Sequence, residues 1–224
     1  MKTLETLNQN VNRTGVPGNG YIGGARGLIR WLLVLTMFVT GATVAAEHPA
    51  QTLVKGTVDK FLDVVRNNED RIKNDPAFLN AKIEELVVPH LDFESMTKLS
   101  IGKNWKKANA SQQKELVAEF RTFLLNTYTS AIDEYKNGEV SFEKFKPGRR
   151  EDRAVVRSQF TQAGTADVPV VYKLRDKGGW RIYDIEVSQL SLVTNYRSSF
   201  SSEIARNGID GLINLLKERN GKAG

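Results

Sequence analysis

The chain has 224 residues, with 32 Lys plus Arg against 26 Asp plus Glu, a net charge of +6 and no cysteine. Without cysteine there is no disulfide scaffold, no thiolate nucleophile and no Cys-ligated metal, so stability must come from packing. Residues 1–46 contribute 4 basic groups and 1 acidic group, which leaves residues 47–224 at only +3, too weak a balance for a nucleic-acid-binding face.

The first 24 residues, MKTLETLNQNVNRTGVPGNGYIGG, are polar, rich in Gly and Asn, and lack hydrophobic periodicity. They are expected to be disordered, or to precede the true start site. WLLVLTMFVTGATVAA, residues 31–46, is uncharged, preceded by Arg26 and Arg30 and followed by Glu47. A membrane-crossing helix needs about 20 apolar residues, and here only Trp31 to Val39 are strongly apolar. The segment therefore reads as a secretory signal peptide, with Val44 and Ala46 at the small-residue positions of the cleavage site. Cleavage after Ala46 is expected to release residues 47–224 as one domain; an uncleaved anchor is the alternative.

From Pro49 to Asn67, Val54, Val58, Phe61, Leu62 and Val65 recur at spacings of three and four and predict an amphipathic helix. Asp75 and Pro76 start a second helix carrying Phe78, Leu79, Ile83, Leu86 and Val87, which Pro89 ends. Asp92 caps a short third helix through Leu99, stopped by Gly102. SQQKELVAEFRTFLLNTYTSAIDEYKNG predicts the longest helix, with Ser111 as cap and Gly138 as terminator. Its apolar face, running from Leu116 to Tyr135, is wider than one neighbour needs; plain core is the favoured reading, and a face that also borders a cavity is the alternative.

After Gly138 the period becomes two. EVSFEKF, DRAVVRSQFTQ, DVPVVYKLRD and WRIYDIEV predict four strands, and their short links predict an antiparallel meander. Ala154, Val156, Ser158 and Phe160 should share one face with Val168, Val170, Tyr172 and Leu174, opposite Arg153, Arg157, Lys173 and Arg175. Pro169 suggests an edge or a bulge. Helix is expected again after Ser188, with Leu190, Val193, Tyr196 and Phe200 on one stripe, and Gly208 separating it from a last helix, IDGLINLLKERN. Helices, then a meander, then helices predict an α+β domain.

Catalytic constellations are missing from the sequence. There is no G-x-S-x-G elbow, no H-E-x-x-H, no acidic calcium loop, and only two histidines, His48 and His90. His90 follows Pro89 at a helix end and reads as a surface or capping residue. Asp184 is the one carboxylate that invites an enzymatic reading, as a base of raised pKa on a strand facing an apolar cavity. The simpler reading pairs it with an arginine such as Arg197. Two basic clusters remain: Lys103, Lys106 and Lys107 around Trp105, and KFKPGRREDR, where Glu151 and Asp152 interrupt the positive charge. Lys and Arg of either can attract anionic head groups, and a solvated loop is the simpler reading of the second.

NWKKANASQQKELVAEFRTFLLNTY and PVVYKLRDKGGWRIYDIEVSQLSLVTNYRSSFSSEIARNGIDGLINLL resemble the MlaC family, the periplasmic phospholipid-binding component of the Mla system, also called the toluene-tolerance auxiliary component of an ABC transporter. The resemblance runs from about residue 50 to 219, and its most specific parts are GGWRIYDI, SLVTNYRSSF and GIDGLI in that order and spacing. It implies a non-enzymatic phospholipid carrier of the Gram-negative periplasm, maintaining outer-membrane lipid asymmetry. It implies no cofactor, bound phospholipid as cargo, and two partners: an outer-membrane Mla lipoprotein complex and an inner-membrane Mla ABC transporter. The implied fold is NTF2-like, a curved antiparallel sheet of about four strands against N-terminal and C-terminal helices.

Under that reading the acyl tails are expected against Phe120, Leu124, Tyr128, Val156, Val170, Tyr172, Leu190 and Val193. Met96 and Trp105 would guard the mouth, and Lys103, Lys106 or Lys107 would meet the head group or a membrane complex. Two other readings stay open: a small-molecule isomerase using Asp184, and a periplasmic adaptor with a filled core and no ligand.

Overall fold

The protein is described from a computed structural model, which covers residues 46–132 and 138–223. The expected leader, and the last turn expected of the long helix, lie outside these residues.

Helix α1 (Pro49–Asn67) starts at a proline in its first turn, and His48 caps it by accepting the Ala50 N–H at 3.2 Å through Nδ1. The imidazole also stacks on Phe145, with ring centroids 4.0 Å apart. A short helix that periodicity missed, α2 (Glu69–Asn74), precedes α3 (Pro76–Leu86), where Asp75 accepts from the Phe78 N–H as cap. At the start of α4 (Phe93–Ile101), Asp92 accepts from the backbone N–H and the hydroxyl of Ser95 at 2.9 and 2.7 Å.

Gly102 ends α4 with a φ of 56°, and a Cβ there would stand 2.7 Å from the Arg197 guanidinium. Glycine is thus required twice, for the left-handed backbone and for the close approach. In α5 (Ala110–Ile132) the cap is Asn109, not Ser111. Asn109 accepts from the Gln112 N–H at 2.9 Å while the Gln112 amide oxygen accepts from the Asn109 N–H at 3.0 Å, a reciprocal capping box.

Five strands follow in the order β1-β2-β3-β4-β5, all antiparallel: β1 (Glu139–Phe142), β2 (Arg153–Thr161), β3 (Val168–Asp176), β4 (Trp180–Val187) and β5 (Leu190–Ser191). The first four match the expected segments. β5 replaces the expected helix start, because the chain reverses at Ser188 and Gln189, whose φ values are 49° and 69°, and pairs back on β4. Helix α6 (Arg197–Ala223) begins only after a 3-10 turn at Thr194–Tyr196, and non-helical backbone at Gly208 divides it as expected.

Pro169 lies on the interior strand β3, so the edge expected there is not found, and the bulge lies elsewhere. Its carbonyl still accepts the Ser188 N–H at 3.0 Å, past the end of the β3–β4 ladder. The irregularity falls between Lys173 and Leu174, which face Asp184 and Ile182 and leave Tyr183 as the extra residue of β4.

Apolar side chains gather in three clusters. One joins α4, α5 and α6 through Met96, Leu116, Phe120, Phe200 and Leu212. A second joins α1 to the sheet through Val54, Val156, Leu174 and Ile182, and a third ties α1 to α2 and α3 through Val65, Ile72, Leu79 and Ile83.

Asp92 links α4 to the β3–β4 turn, since Lys177 Nζ lies 2.9 Å from its Oδ2. Burial alone would raise its pKa, but hydrogen bonds from Lys177 and Ser95 outweigh that and hold it below the ordinary carboxylate value. A depressed carboxylate stabilises the fold above its unfolded pKa, and that contribution is lost as pH falls through the folded value. Asp92→Asn keeps a capping side chain but not the charge. It should lower unfolding free energy by about 1 kcal/mol at neutral pH, with the difference from the parent shrinking as pH falls through the folded pKa of Asp92, as read by urea melts across pH.

Candidate functional site

The three clusters meet without closing, and between them lies a cavity of about 350 Å³, within the range of small-ligand pockets. Its walls come from α1 (Val54, Thr57, Val58, Phe61, Leu62), the end of α3 (Ile83, Val87), Leu91, α4 (Phe93, Met96) and α5 (Leu124, Leu125, Tyr128, Thr129). The sheet supplies Val170, Tyr172, Ile182 and Ile185, and the segment after β5 supplies Leu192 and Val193. Among the described residues, no charged side chain lines it.

Its few polar groups are mostly engaged. The Thr57 hydroxyl donates to Leu53 O at 2.8 Å, within its own helix. Tyr128 Oη lies 3.3 Å from Tyr196 Oη and 3.5 Å from Leu192 O. Burial first, and the Tyr196 hydroxyl second, push the Tyr128 pKa up, so it stays a neutral phenol at any ordinary pH. Burial likewise raises Tyr172. The site therefore offers apolar surface and neutral hydroxyls, which suits a hydrocarbon ligand and supplies no general base.

Of the residues singled out from sequence, Met96, Leu124, Tyr128, Val170, Tyr172 and Val193 are brought together on this cavity. Phe120 is not on it: the ring is fully buried against Phe123, Tyr196 and Phe200, with centroids 5.5 to 6.2 Å away. Val156 is packed into the α1–sheet cluster, and Leu190 is 53% exposed on β5. Trp105 packs on the helical cluster under Lys98, 5.0 Å from its ring centroid, and does not line the cavity. Lys103, Lys106 and Lys107 are exposed on the 3-10 turn after α4 and do not line it either.

The α1 and α3 walls were visible only as ordinary amphipathic stripes. Half-exposed Phe61 and Leu62 on an apolar stripe are the mark of a cavity wall, but exposure is a structural quantity.

Asp184 does not face the cavity. Strict alternation from Ile182 would turn it inward, but the extra residue Tyr183 resets the parity, so Ile182 and Ile185 point in and Asp184 points to the other face. There it is 2% exposed, accepts from Ser191 Oγ at 2.6 Å and pairs with Lys173 Nζ at 3.1 Å. Its partner is thus Lys173, not Arg197, and the isomerase reading loses its base. Lys173 also binds Glu186; burial opposes its charge, but the hydrogen bonds to Glu186 and Asp184 raise its pKa. Among the described residues no group of three metal-ligating side chains occurs, and no helix is long and apolar enough to cross a membrane.

Comparison with known proteins points the same way as the cavity. The family model described as "MlaC protein" matches residues 55–218. The chain is 24% identical over 189 residues to the intermembrane phospholipid transport system binding protein MlaC of Haemophilus influenzae, covering 83% of this chain and 88% of that protein. It is 28% identical over 187 residues to the toluene tolerance protein ttg2D of Pseudomonas putida, covering 82% and 85%. A solved phospholipid-binding protein from Ralstonia solanacearum, in complex with a phospholipid, superposes with a TM-score of 0.71 at 29% identity, covering 79% of this chain and 99% of that one.

Asp184→Asn tests the assignment of that carboxylate to the fold. It should cost about 1–3 kcal/mol in a urea melt, as a buried charged hydrogen-bond acceptor is lost, while lipid extracted per protein stays unchanged. Unchanged stability with lost lipid would return Asp184 to the cavity.

Proposed function

This chain belongs to the MlaC family, and on that footing we propose that it is a periplasmic phospholipid carrier, moving lipid between an outer-membrane Mla complex and an inner-membrane Mla ABC transporter. Export is by the signal peptide ending at Ala46, and the working protein is residues 47–224. The observation that carries the reading is the uncharged cavity walled by α1, α3, α4, α5 and the sheet. An acyl chain has no polar atom to be recognised, so a site for it needs apolar area and nothing else. Each buried CH₂ contributes about 0.8 kcal/mol, and a sixteen-carbon chain therefore on the order of 10 kcal/mol. Affinity on that scale holds a lipid that water would otherwise reject.

A wall of this kind reads tails and leaves the head group at the rim. Met96, Leu124, Tyr128, Val170, Tyr172 and Val193 are the tail contacts in this reading, joined by Phe61, Leu62 and Ile185. The adaptor reading requires a filled core, which the open space between the clusters argues against.

The test is to export the protein, purify it without detergent, and measure bound species by native mass spectrometry with lipid extraction. One phospholipid per protein, varied in head group, is expected; an empty mass that takes up no lipid from vesicles overturns the reading. Two neighbouring substitutions sharpen it. Val170→Trp, at the cavity wall, should displace lipid from most molecules while the protein stays folded. Val156→Trp, in the filled cluster beside it, should instead cost about 1–3 kcal/mol of overpacking strain and leave lipid bound to the folded fraction.

A further inference from the structure

The face of the sheet turned away from the cavity carries a charge arrangement that lipid binding does not explain. Arg153 of β2 is registered against Arg175 of β3, and Arg175 against Arg181 of β4, so three arginines stand in one row across the sheet. Like charges directly opposite destabilise a sheet. With strands about 4.8 Å apart, the three guanidinium groups are held near one another by the backbone.

Compensation within the chain is incomplete. Two of them lie over the Tyr183 ring, with Arg153 Cζ 5.2 Å and Arg175 Cζ 5.6 Å from its centroid. Asp152 reaches Arg153 at 3.6 Å but is already held by Arg150 through two bonds of 2.9 Å. Among the described residues, Arg175 Nε is buried without a hydrogen-bond partner, and Arg181 donates to the Trp180 carbonyl alone, at 3.0 Å. Beside the row opens a surface cleft of about 660 Å³ carrying Lys146, Arg149, Arg150, Arg153 and Arg157, with Glu143 as its single acid. Among the described residues, Lys146, Arg149, Arg157, Arg175 and Arg181 take part in no ion pair.

We infer that this face is a docking surface for an acidic protein partner, one that presents a patch of Asp and Glu carboxylates. Guanidinium forks fixed on rigid strands match carboxylates two bonds at a time, which flexible lysines do not. A bilayer is the poorer fit. Glu143 and Asp152 sit inside the patch and would meet lipid phosphates with repulsion, whereas a protein surface can place a cation opposite each. Binding flat on a bilayer by this face would also turn the cavity side away from the lipid. The inference extends the carrier reading, because a carrier must be recognised where it loads or unloads, but its evidence is separate from the cavity. Such a surface would speed encounter, with strong dependence on salt.

A fluorescein-labelled deca-glutamate peptide serves as the acidic probe, read by anisotropy against the purified protein at several salt concentrations. Arg149→Glu, Arg157→Glu and Arg181→Glu combined alter three exposed side chains, and Lys103→Glu, Lys106→Glu and Lys107→Glu combined give the same change of charge elsewhere. The arginine variant should bind the peptide at least about tenfold more weakly, with less than about a twofold change in the lysine variant. The neutral pair Arg157→Gln and Arg181→Gln, which spares the fold further, should weaken binding by a smaller factor.

Equal loss in both charge-reversed variants, or no binding by the parent protein, overturns the inference. So does arginine-dependent co-sedimentation with phosphatidylglycerol-containing vesicles that exceeds peptide binding, which assigns the face to a membrane. Phospholipid measured on the same samples separates the two readings. A lipid-loaded protein without arginine-dependent peptide binding sinks the docking surface alone, and an empty protein with it sinks the carrier alone.

Discussion

The structure depends on three apolar clusters that meet and do not merge. A domain of this size ordinarily closes one continuous core, since interior voids forfeit both contact and transfer energy. Here α5 contributes its first half to the cluster with α6 and its second half to a cavity wall. Leu116 and Phe120 are fully buried, while Leu125 and Tyr128 beyond them are only partly covered. α1 divides in the same way, packing Val54 on the sheet and leaving Phe61 and Leu62 half-exposed toward the cavity. Each helix is thus anchored by one part of its apolar surface, and the remainder stays open for a ligand.

That arrangement asks the sheet to keep polar groups out of the cavity, and the bulge in β4 does so. Were Tyr183 paired in regular register, alternation from Ile182 would point Asp184 and Glu186 at the apolar wall, where an unpaired carboxylate is very costly. With Tyr183 bulged out of register, both carboxylates share the outer face with Lys173, and Ile182 and Ile185 take the inner one. The bulged pairing of Tyr183, as against regular pairing, therefore decides that the wall is uncharged. Tyr183, next to inward-facing Ile182, lies on the arginine-bearing face, where its ring is beneath two guanidinium groups.

Much of this was legible in the sequence. The helix spacing, the Asp75 and Asp92 caps, the Gly102 stop, the four main strands and the break at Gly208 follow from local chemistry, and the structure has them. Ser111, two residues past the true cap of α5, satisfies the cap preference equally, and only the Asn109–Gln112 reciprocity separates them. β5 was missed since two residues carry no period, and its reversal uses left-handed Ser188 and Gln189 where glycine or asparagine would have signalled a turn. Of the tail contacts expected, Phe120 and Val156 proved to be filled core. Periodicity reports which face is apolar, and an apolar face against a neighbour reads the same as one against a void.

The bulge in β4 does leave a signal in the sequence. In WRIYDIEV the two isoleucines stand three apart, a spacing that a regular strand would send to opposite faces. Reading both as inward requires an extra residue between them, and that single step moves Asp184 off the cavity before any coordinates are known. The carboxylate that invited a catalytic reading and the irregularity that removes it lie in the same eight residues. Strand carboxylates are thus better assigned to a face by the apolar residues on both sides of them than by counting from one end. By that test the inner wall of this sheet is hydrocarbon throughout β4, and selectivity for the polar part of a ligand has to come from the rim.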